Sequence, residues 1–310
     1  MLRVVVLGAA AGGGVPQWNC GCPICRAART EHPEIRSTQA SIAVSNDGEH
    51  WFLVNASPDL RQQVTAAPQL HPKTGALRHS PITGVILTNG EIDAVTGLLS
   101  MRESSPFAIY AHPKVLAILR SNSMFDVLRP ENVQRVAIAI DAAFEPQLPG
   151  GARSGLEILP FAVAGTSAWY LRGKEDHPGG MASTGDTLGL RIADRASGKY
   201  LYVITACANV DDGLKRRLAG APAVLFDGTV WRDDEMIRAG LGDKTGQSMG
   251  HIAMSGDDGA ISSLKDLGIG RKIFLHINNS NPAWLHGSPE RRALEQAGWQ
   301  IPTEGMEIVL

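Results

Sequence analysis

Apolar residues along the chain fall into short runs rather than into long helical periods. Most runs contain about four to eight residues, are rich in β-branched side chains and end at glycine, proline, asparagine or aspartate, which is typical of buried strands. The predicted strands cover residues 2–7, 40–44, 51–55, 82–88, 107–110, 156–163, 187–192, 200–204, 223–227 and 272–277. The Asn46-Asp47-Gly48 turn predicts that the second and third strands form a hairpin.

Between these strands, apolar positions at helical spacing predict six helices. They begin at about residue 60 and cover 91–100, 113–121, 211–219, 255–267 and 289–297. The polar, glycine-containing segment 164–186 predicts a long loop. Strands and helices alternate, but several strands arrive as hairpins. This favours an α+β fold with two mixed sheets and outer helices over a doubly wound parallel sheet. With no repeat or linker in view, we expect one domain over residues 1–310.

Composition narrows the possible function classes. The chain has 310 residues, with 44% hydrophobic and 19% charged residues and a net charge of −2, which is ordinary for a globular protein. It lacks the basic patch expected for nucleic-acid binding and the run of about 20 apolar residues that a spanning helix needs. Its first apolar run is too short for a secretory signal, and its four cysteines fit a reducing compartment. We therefore expect a cytoplasmic protein without a membrane span or nucleic-acid partner.

Three of the four cysteines lie within six residues, at Cys20, Cys22 and Cys25. The spacing is too short for comfortable disulfides within the run, and only Cys207 remains as another partner. Thiolates bind zinc tetrahedrally, so this triplet predicts a structural zinc site that takes a fourth ligand from elsewhere. The alternative is three unrelated reduced thiols in a loop.

A second group of polar residues follows the strand that ends near Thr88. Asn89, Glu91 and Asp93 occupy alternate positions, as ligands do in a metal-binding loop at a strand end. Further along the chain, three more candidates follow or end apolar segments: Asp227, His251 and His276. Each of these residues alone is weak evidence for a metal site, because a lone histidine is more often structural and an aspartate can simply cap a turn.

The order of these residues resembles the metallo-β-lactamase superfamily, whose metal loop reads T-H-x-H-x-D-H-x-x-G-L. The chain matches this loop at Thr88, Asp93, Gly97 and Leu98. It departs at the three histidine positions, which hold Asn89, Glu91 and Ala94.

Over nearly its whole length the chain resembles the B family of pyrroloquinoline quinone (PQQ) biosynthesis proteins. The segments that carry this resemblance are 12–20, 55–63, 79–82, 226–229, 249–251 and 276–279. The resemblance implies a metallo-β-lactamase-like αβ/βα four-layer sandwich with a structural zinc at the cysteine triplet. It also implies an aspartate–histidine pair in the metal loop, which here reads Asp93-Ala94.

The same resemblance implies a role in making PQQ from a peptide-derived glutamate–tyrosine adduct. One possible activity is iron-dependent hydroxylation of the tyrosine ring. The alternative is a soluble carrier that takes PQQ or its precursor toward the periplasm. We expect a small-molecule precursor or short peptide-derived substrate as partner, and we leave open other PQQ-pathway proteins and a homodimer.

Non-heme iron(II) prefers two histidines and a carboxylate with open positions. His251, His276 and Asp93 could supply them, with Asp227 and Glu91 as additional oxygen groups and Asn89 as a hydrogen-bond partner. Zinc or magnesium would fit the same set.

His276 is also a candidate for the fourth zinc ligand, with Asn279 as a weaker one. We favour His276 at the cysteines, because a closed structural site tolerates a missing ligand less than an open one does. In a carrier, Asn89, Glu91, Asp93, His251 and Arg61 would instead line a polar pocket. The missing histidines argue most strongly against a third function, zinc-dependent hydrolysis, because this reaction needs a well-formed open zinc site.

Overall fold

The computed structural model describes residues 1–171 and 185–310, which form two mixed β-sheets and the helices around them. The first sheet contains seven strands, in chain order β1 (Arg3–Gly8), β2 (Ser41–Ser45), β3 (Trp51–Val54), β4 (Ile82–Ile86), β5 (Phe107–Ala111), β6 (Val133–Ala137) and, from the end of the chain, β13 (Glu307–Val309). The second contains β7 (Leu156–Ala162), β8 (Leu188–Asp194), β9 (Tyr200–Ile204), β10 (Ala223–Asp227), β11 (Arg271–Leu275) and β12 (Trp299–Gln300).

In both sheets an antiparallel part continues into a parallel part. The first sheet runs β13-β1-β2-β3-β4-β5-β6, antiparallel as far as β3 and parallel from β3 onward. The second runs β12-β11-β10-β9-β8-β7, parallel from β12 to β9 and antiparallel beyond. The carboxyl ends of parallel strands share one edge, so the loops after β4, β10 and β11 each lie at such an edge of their sheet.

The α-helices connect and flank these strands. In chain order they are α1 (Pro23–Arg29), α2 (Leu60–Ala66), α3 (Ile92–Val95), α4 (Pro113–Ser121), α5 (Asp212–Leu218), α6 (Glu235–Arg238), α7 (Gly246–Met249), α8 (Ala260–Ser263) and α9 (Pro289–Gln296). A 3-10 turn, Thr96–Met101, continues α3, so the predicted helix over 91–100 is present as two short segments.

Two apolar clusters explain why the strands read as unbroken hydrophobic runs. Val4 and Val6 of β1 belong to the larger cluster, which also contains residues of the second sheet. Val5 and Leu7 point to the opposite face and belong to a second cluster that contains residues of α2 and α4. Because neighbouring side chains in a strand point to opposite faces, a strand buried on both faces is apolar at every position.

The expectation of two mixed sheets with helices is confirmed, with differences in the details. The sequence did not predict strands β6, β12 and β13 or helices α1, α6 and α7, and the helix expected over 255–267 is reduced to α8. Of the loop expected over 164–186, residues 172–184 lie outside the described part. Among the described residues, the helices are all too short or too polar to cross a membrane.

Candidate functional site

Loops from both sheets bring four ionisable side chains together. Asp93 lies in α3, which follows β4, whereas Asp227 ends β10, His251 lies two residues after α7 and His276 directly follows β11. Three of them, Asp227, His251 and His276, offer ligand atoms within 4.8 Å of one another. Asp93 adjoins this group, because its Oδ2 lies 2.8 Å from Nε2 of His276. We call these four residues the histidine cluster.

Thr229 lies at the centre of the histidine cluster. Its hydroxyl oxygen is 2.7 Å from Oδ1 of Asp227, 3.0 Å from Nδ1 of His251 and 2.9 Å from Nδ1 of His276. It also lies 2.9 Å from the carbonyl oxygen of His276. The sequence interpretation did not single out this residue, although it occurs two positions after Asp227. A hydroxyl so close to a strand-end carboxylate is the signal that could have found it.

The carboxylate of Asp227 contacts the imidazole of His251 and fixes its orientation. The carboxylate is fully buried, and its Oδ2 lies 2.8 Å from Nδ1 of His251 and accepts a hydrogen bond of 2.8 Å from the backbone N–H of Cys207. The rings of His251 and His276 stack with their centroids 5.1 Å apart. Buried carboxylates in this position orient a histidine and increase its basicity as a ligand.

Burial and pairing act in opposite directions on Asp93 and His276. Burial alone would raise the pKa of Asp93, but the hydrogen bond and charge of His276 outweigh it, and the pKa lies below its usual range. Burial would lower the pKa of His276, but the hydrogen bond that its Nε2 donates to Asp93 and the charges of Asp93, Asp227 and Glu91 raise this pKa overall. The pair therefore favours its charged forms, and a cation placed here would replace the proton on His276.

The remaining residues of the metal loop have different surroundings. Oδ1 of Asn89 accepts a hydrogen bond of 3.0 Å from the backbone N–H of Glu91, and Oε1 of Glu91 accepts one of 2.9 Å from Trp169. Ala94, which replaces a histidine of the superfamily loop, is buried with Val95. Asn89 and Glu91 thus shape the loop and its rim, and Ala94 offers no ligand atom.

A cavity of about 490 Å³ opens over the histidine cluster. Its lining includes the candidate residues Asn89, Glu91, Asp93, His251 and His276. The other described lining residues are Gly12 and Gly13 of the amino-terminal glycine loop, and Gln39, Ile92, Thr166, Trp169, Thr187, Ala206, Lys244, Met249 and Gly250. Arg61, expected in a carrier pocket, is exposed and is absent from this lining among the described residues. The cavity is large enough for a small organic molecule.

The three thiols of Cys20, Cys22 and Cys25 form a second, buried group. The side-chain nitrogen of Asn279 lies 3.1 Å from Sγ of Cys20 and 3.3 Å from Sγ of Cys25, and its backbone carbonyl oxygen accepts from Sγ of Cys22 at 3.5 Å. We call these four residues the cysteine cluster. Turning the Asn279 amide by half a rotation would present its oxygen to a cation instead.

This placement corrects the expectation that His276 completes the cysteine site. His276 has a positive φ of 57° and turns its ring toward Asp93 and Thr229. Asn279, three residues further on, occupies the position beside the sulfur atoms. The expectation failed because the sharp turn at the end of β11 sends two side chains three residues apart to different clusters.

The surroundings of the thiols fit a metal site. Backbone N–H groups of Gln17, Cys22 and Cys25 each point to a sulfur at 3.4 Å, as donors do around thiolates. Burial raises the pKa of Cys22 to about 12. For Cys20, burial is outweighed by hydrogen bonds from Cys22, Cys25 and Asn279, which lower its pKa. Three sulfur atoms and one amide suit tetrahedral zinc, whereas the two imidazoles and two carboxylates of the histidine cluster suit iron, zinc or manganese.

The sheets, the strand-end loops and the two clusters define the class of protein. The model of the β-lactamase superfamily domain matches residues 50–277. The metallo-β-lactamase fold protein YhfI from Bacillus subtilis superposes over 100% of both chains with a TM-score of 0.64 at 12% identity. The chain belongs to the β-lactamase superfamily and has the metallo-β-lactamase fold.

More similar relatives define the family within this class. The coenzyme PQQ synthesis protein B of Bradyrhizobium diazoefficiens is 70% identical over 310 residues, which is 100% of both chains. The crystal structure of Zn²⁺-bound PqqB from Methylobacterium extorquens has 50% identity and a TM-score of 0.92, and covers 99% of this chain and 100% of the other. The chain belongs to the coenzyme PQQ synthesis protein B family.

Proposed function

We propose that this protein acts in the synthesis of coenzyme PQQ as a metal-dependent hydroxylase of a tyrosine-derived precursor. The observation that carries the proposal is the convergence of two histidines and two aspartates beneath a cavity of about 490 Å³. Two imidazoles and a carboxylate with open positions are the donor set of non-heme iron(II) oxygenases. An iron(II) ion in the histidine cluster would supply the activation of O₂.

The residues of the chain have separate roles in this proposal. His251, His276 and Asp93 would hold the ion, and Asp227 would fix the ring of His251 through their 2.8 Å contact. Glu91 and Asn89 would form the cavity rim through the contacts of the metal loop. Lys244 would attract a carboxylate of the precursor, because it is the only lysine or arginine among the described residues of the cavity lining.

We further propose that the cysteine cluster binds a structural zinc. A Zn²⁺-bound relative of 50% identity supports the presence of zinc, and the three buried thiols beside Asn279 supply a closed donor set. Such a site leaves no position open for substrate. The chemistry therefore belongs to the histidine cluster.

A metal-independent carrier of PQQ or its precursor is a second candidate. Buried Ala94 favours it, because the superfamily loop has lost all three histidines in this chain. In that case the same cavity would bind its ligand through Glu91, Lys244 and His251 without turnover.

One experiment separates the two candidates. The protein is loaded with Fe²⁺ without oxygen and then receives O₂, a two-electron reductant and a peptide that contains the glutamate–tyrosine adduct. Hydroxylation converts a ring C–H into C–OH with one oxygen atom of O₂, and the other leaves as water. Mass spectrometry should show a gain of one oxygen atom, which zinc-only protein should not produce. Tight precursor binding without any product, at every iron stoichiometry, would favour the carrier.

A further inference from the structure

We infer that the cysteine cluster positions His276, so that the two clusters bind their metals cooperatively, and that Asn279 is the positioning residue. This inference rests on the proposed metal site at the histidine cluster. It concerns a separate quantity, the dependence of one metal affinity on the other.

A single short loop supplies both clusters. His276 lies in the histidine cluster and Asn279 in the cysteine cluster, only three residues apart. The backbone N–H of Asn278 donates to the carbonyl of Thr229 at 2.9 Å, which ties the loop to the segment after β10. Because only two residues separate them, a displacement of Asn279 also shifts the backbone that carries His276.

The backbone conformation of His276 depends on the contacts that the loop makes with its neighbours. Its φ of 57° is in the left-handed region, which is uncommon for residues other than glycine. A residue in that region keeps its conformation only where neighbouring contacts hold it. Asn279 beside the thiols and Thr229 beside the ring are two such contacts.

A second connection runs through the amino-terminal segment. The backbone of Ile277 donates to Ala9 at 2.8 Å and accepts from Ala11 at 2.8 Å. The next residue, Gly12, lies so close to the metal loop that a Cβ there would stand 3.6 Å from Oδ2 of Asp93. This segment continues to Cys20, so it contacts the histidine cluster before it reaches the cysteine cluster.

Zinc at the cysteine cluster would fix both segments at once. A metal site needs its ligands held to within about 0.5 Å, so loss of this support lowers affinity at the histidine cluster. Coupling between two sites commonly amounts to about 5- to 150-fold in affinity and is reciprocal.

The test compares the Mn²⁺ affinity of full-length protein that holds one equivalent of zinc, at the cysteine cluster, with that of zinc-depleted protein, and free Mn²⁺ is followed by electron paramagnetic resonance. Mn²⁺ prefers oxygen ligands to thiolates, so it reports on the histidine cluster with its two carboxylates rather than on the cysteine cluster. Zinc-depleted protein and Asn279→Ala should each bind Mn²⁺ at least fivefold more weakly. Asn279→Asp, which retains an oxygen donor, should restore the affinity.

Asn278→Ala is the matched control. Its side-chain nitrogen contacts Ser280 on the same loop and Met236 of α6, and neither residue belongs to a cluster. It should change Mn²⁺ affinity less than twofold. Bound Mn²⁺ should in turn slow the transfer of zinc to a chelator in the unsubstituted protein, a measurement that remains decisive if Asn279→Ala does not fold.

The coupling would be overturned if Mn²⁺ affinity were equal with and without zinc and if bound Mn²⁺ did not change the rate of zinc transfer to the chelator. That result would leave the proposed function standing. Failure of zinc-loaded protein to bind either Mn²⁺ or Fe²⁺ at the histidine cluster would overturn both. Coupled affinities without hydroxylation would support this inference and count against the hydroxylase.

Discussion

The imidazole of His276 and the carboxylate of Asp93 join the loops of the two sheets, with Nε2 and Oδ2 2.8 Å apart. One residue follows β11 of the second sheet and the other follows β4 of the first. A cation between them would therefore link the strand-end loops of the two sheets. Removal of either side chain tests the site directly.

His276→Gln should lower metal affinity at the histidine cluster by at least tenfold, because it removes an imidazole ligand and leaves Asp93 without its partner. Metal content after dialysis and calorimetric titration with Mn²⁺ measure the effect. His286→Gln is the control, since His286 is an exposed histidine near the same end of the chain. Equal loss in both variants would contradict the assignment.

Ala94→His should raise iron affinity, because it returns a histidine to the position where the superfamily loop has one. Ala94 is 2% exposed, so the larger side chain must displace neighbours and the free energy of unfolding should fall by about 1–3 kcal/mol. Ala94→Leu adds similar bulk without a ligand atom and provides the control. If both variants bind Fe²⁺ alike, the position no longer has metal geometry.

Cys25→Ser should abolish stoichiometric zinc and lower the melting temperature, because a structural zinc contributes directly to folding. Cys207→Ser is the matched control: Cys207 is equally buried, but its sulfur donates to the carbonyl of Asn209 at 3.1 Å, a contact that a serine hydroxyl can keep. Elemental analysis and thermal unfolding distinguish them. Unchanged zinc in Cys25→Ser would contradict a zinc at the cysteine cluster.

Glu235 should make stability depend on pH. Burial raises its pKa to about 7, against the hydrogen bonds from Ser280 and Trp231. Between its ordinary pKa and about 7 the folded state binds more protons than the unfolded state, so stability falls as pH rises through this range. Urea unfolding should show Glu235→Gln gaining about 2 kcal/mol relative to the unsubstituted protein between pH 5 and pH 8. A constant difference would refute this.

Lys244→Ala should weaken binding of a carboxylate-bearing precursor by about threefold at low salt, and less at high salt, because Lys244 is exposed at the cavity rim. Lys244→Arg should retain most of the affinity. Lys265→Ala, at an exposed lysine outside the cavity lining, is the control. Fluorescence or calorimetric binding to metal-free protein measures all three, and equal affinities would remove Lys244 from the site.

The sequence predicted best those elements whose signals are local. Helix α4 begins and ends where expected, because Pro113 occupies its first turn and His112 caps it. Strand β10 is an uninterrupted apolar run that ends in Asp227. Strand β6 was missed because Gln134 and Arg135 interrupt its apolar pattern, as is common at the edge of a sheet.

The site was predictable in its residue types but not in their partners. The order of Asp93, Asp227, His251 and His276 along the chain indicated a metal site at strand ends. Whether His276 or Asn279 faces the thiols depends on one backbone turn after β11, with φ of 57° at His276. No local pattern encodes that turn, because contacts from distant segments hold it.

The hydroxyl of Thr229 has one proton, yet it lies within 3.0 Å of two oxygen acceptors and two ring nitrogens. A proton donated to Oδ1 of Asp227, the shortest of these contacts, leaves the hydroxyl oxygen free to accept from Nδ1–H of His251 and of His276. With hydrogen on Nδ1, Nε2 is the ring atom left for a cation, and in His276 that atom faces Asp93. One side-chain oxygen thereby sets which nitrogen each imidazole can offer to a metal.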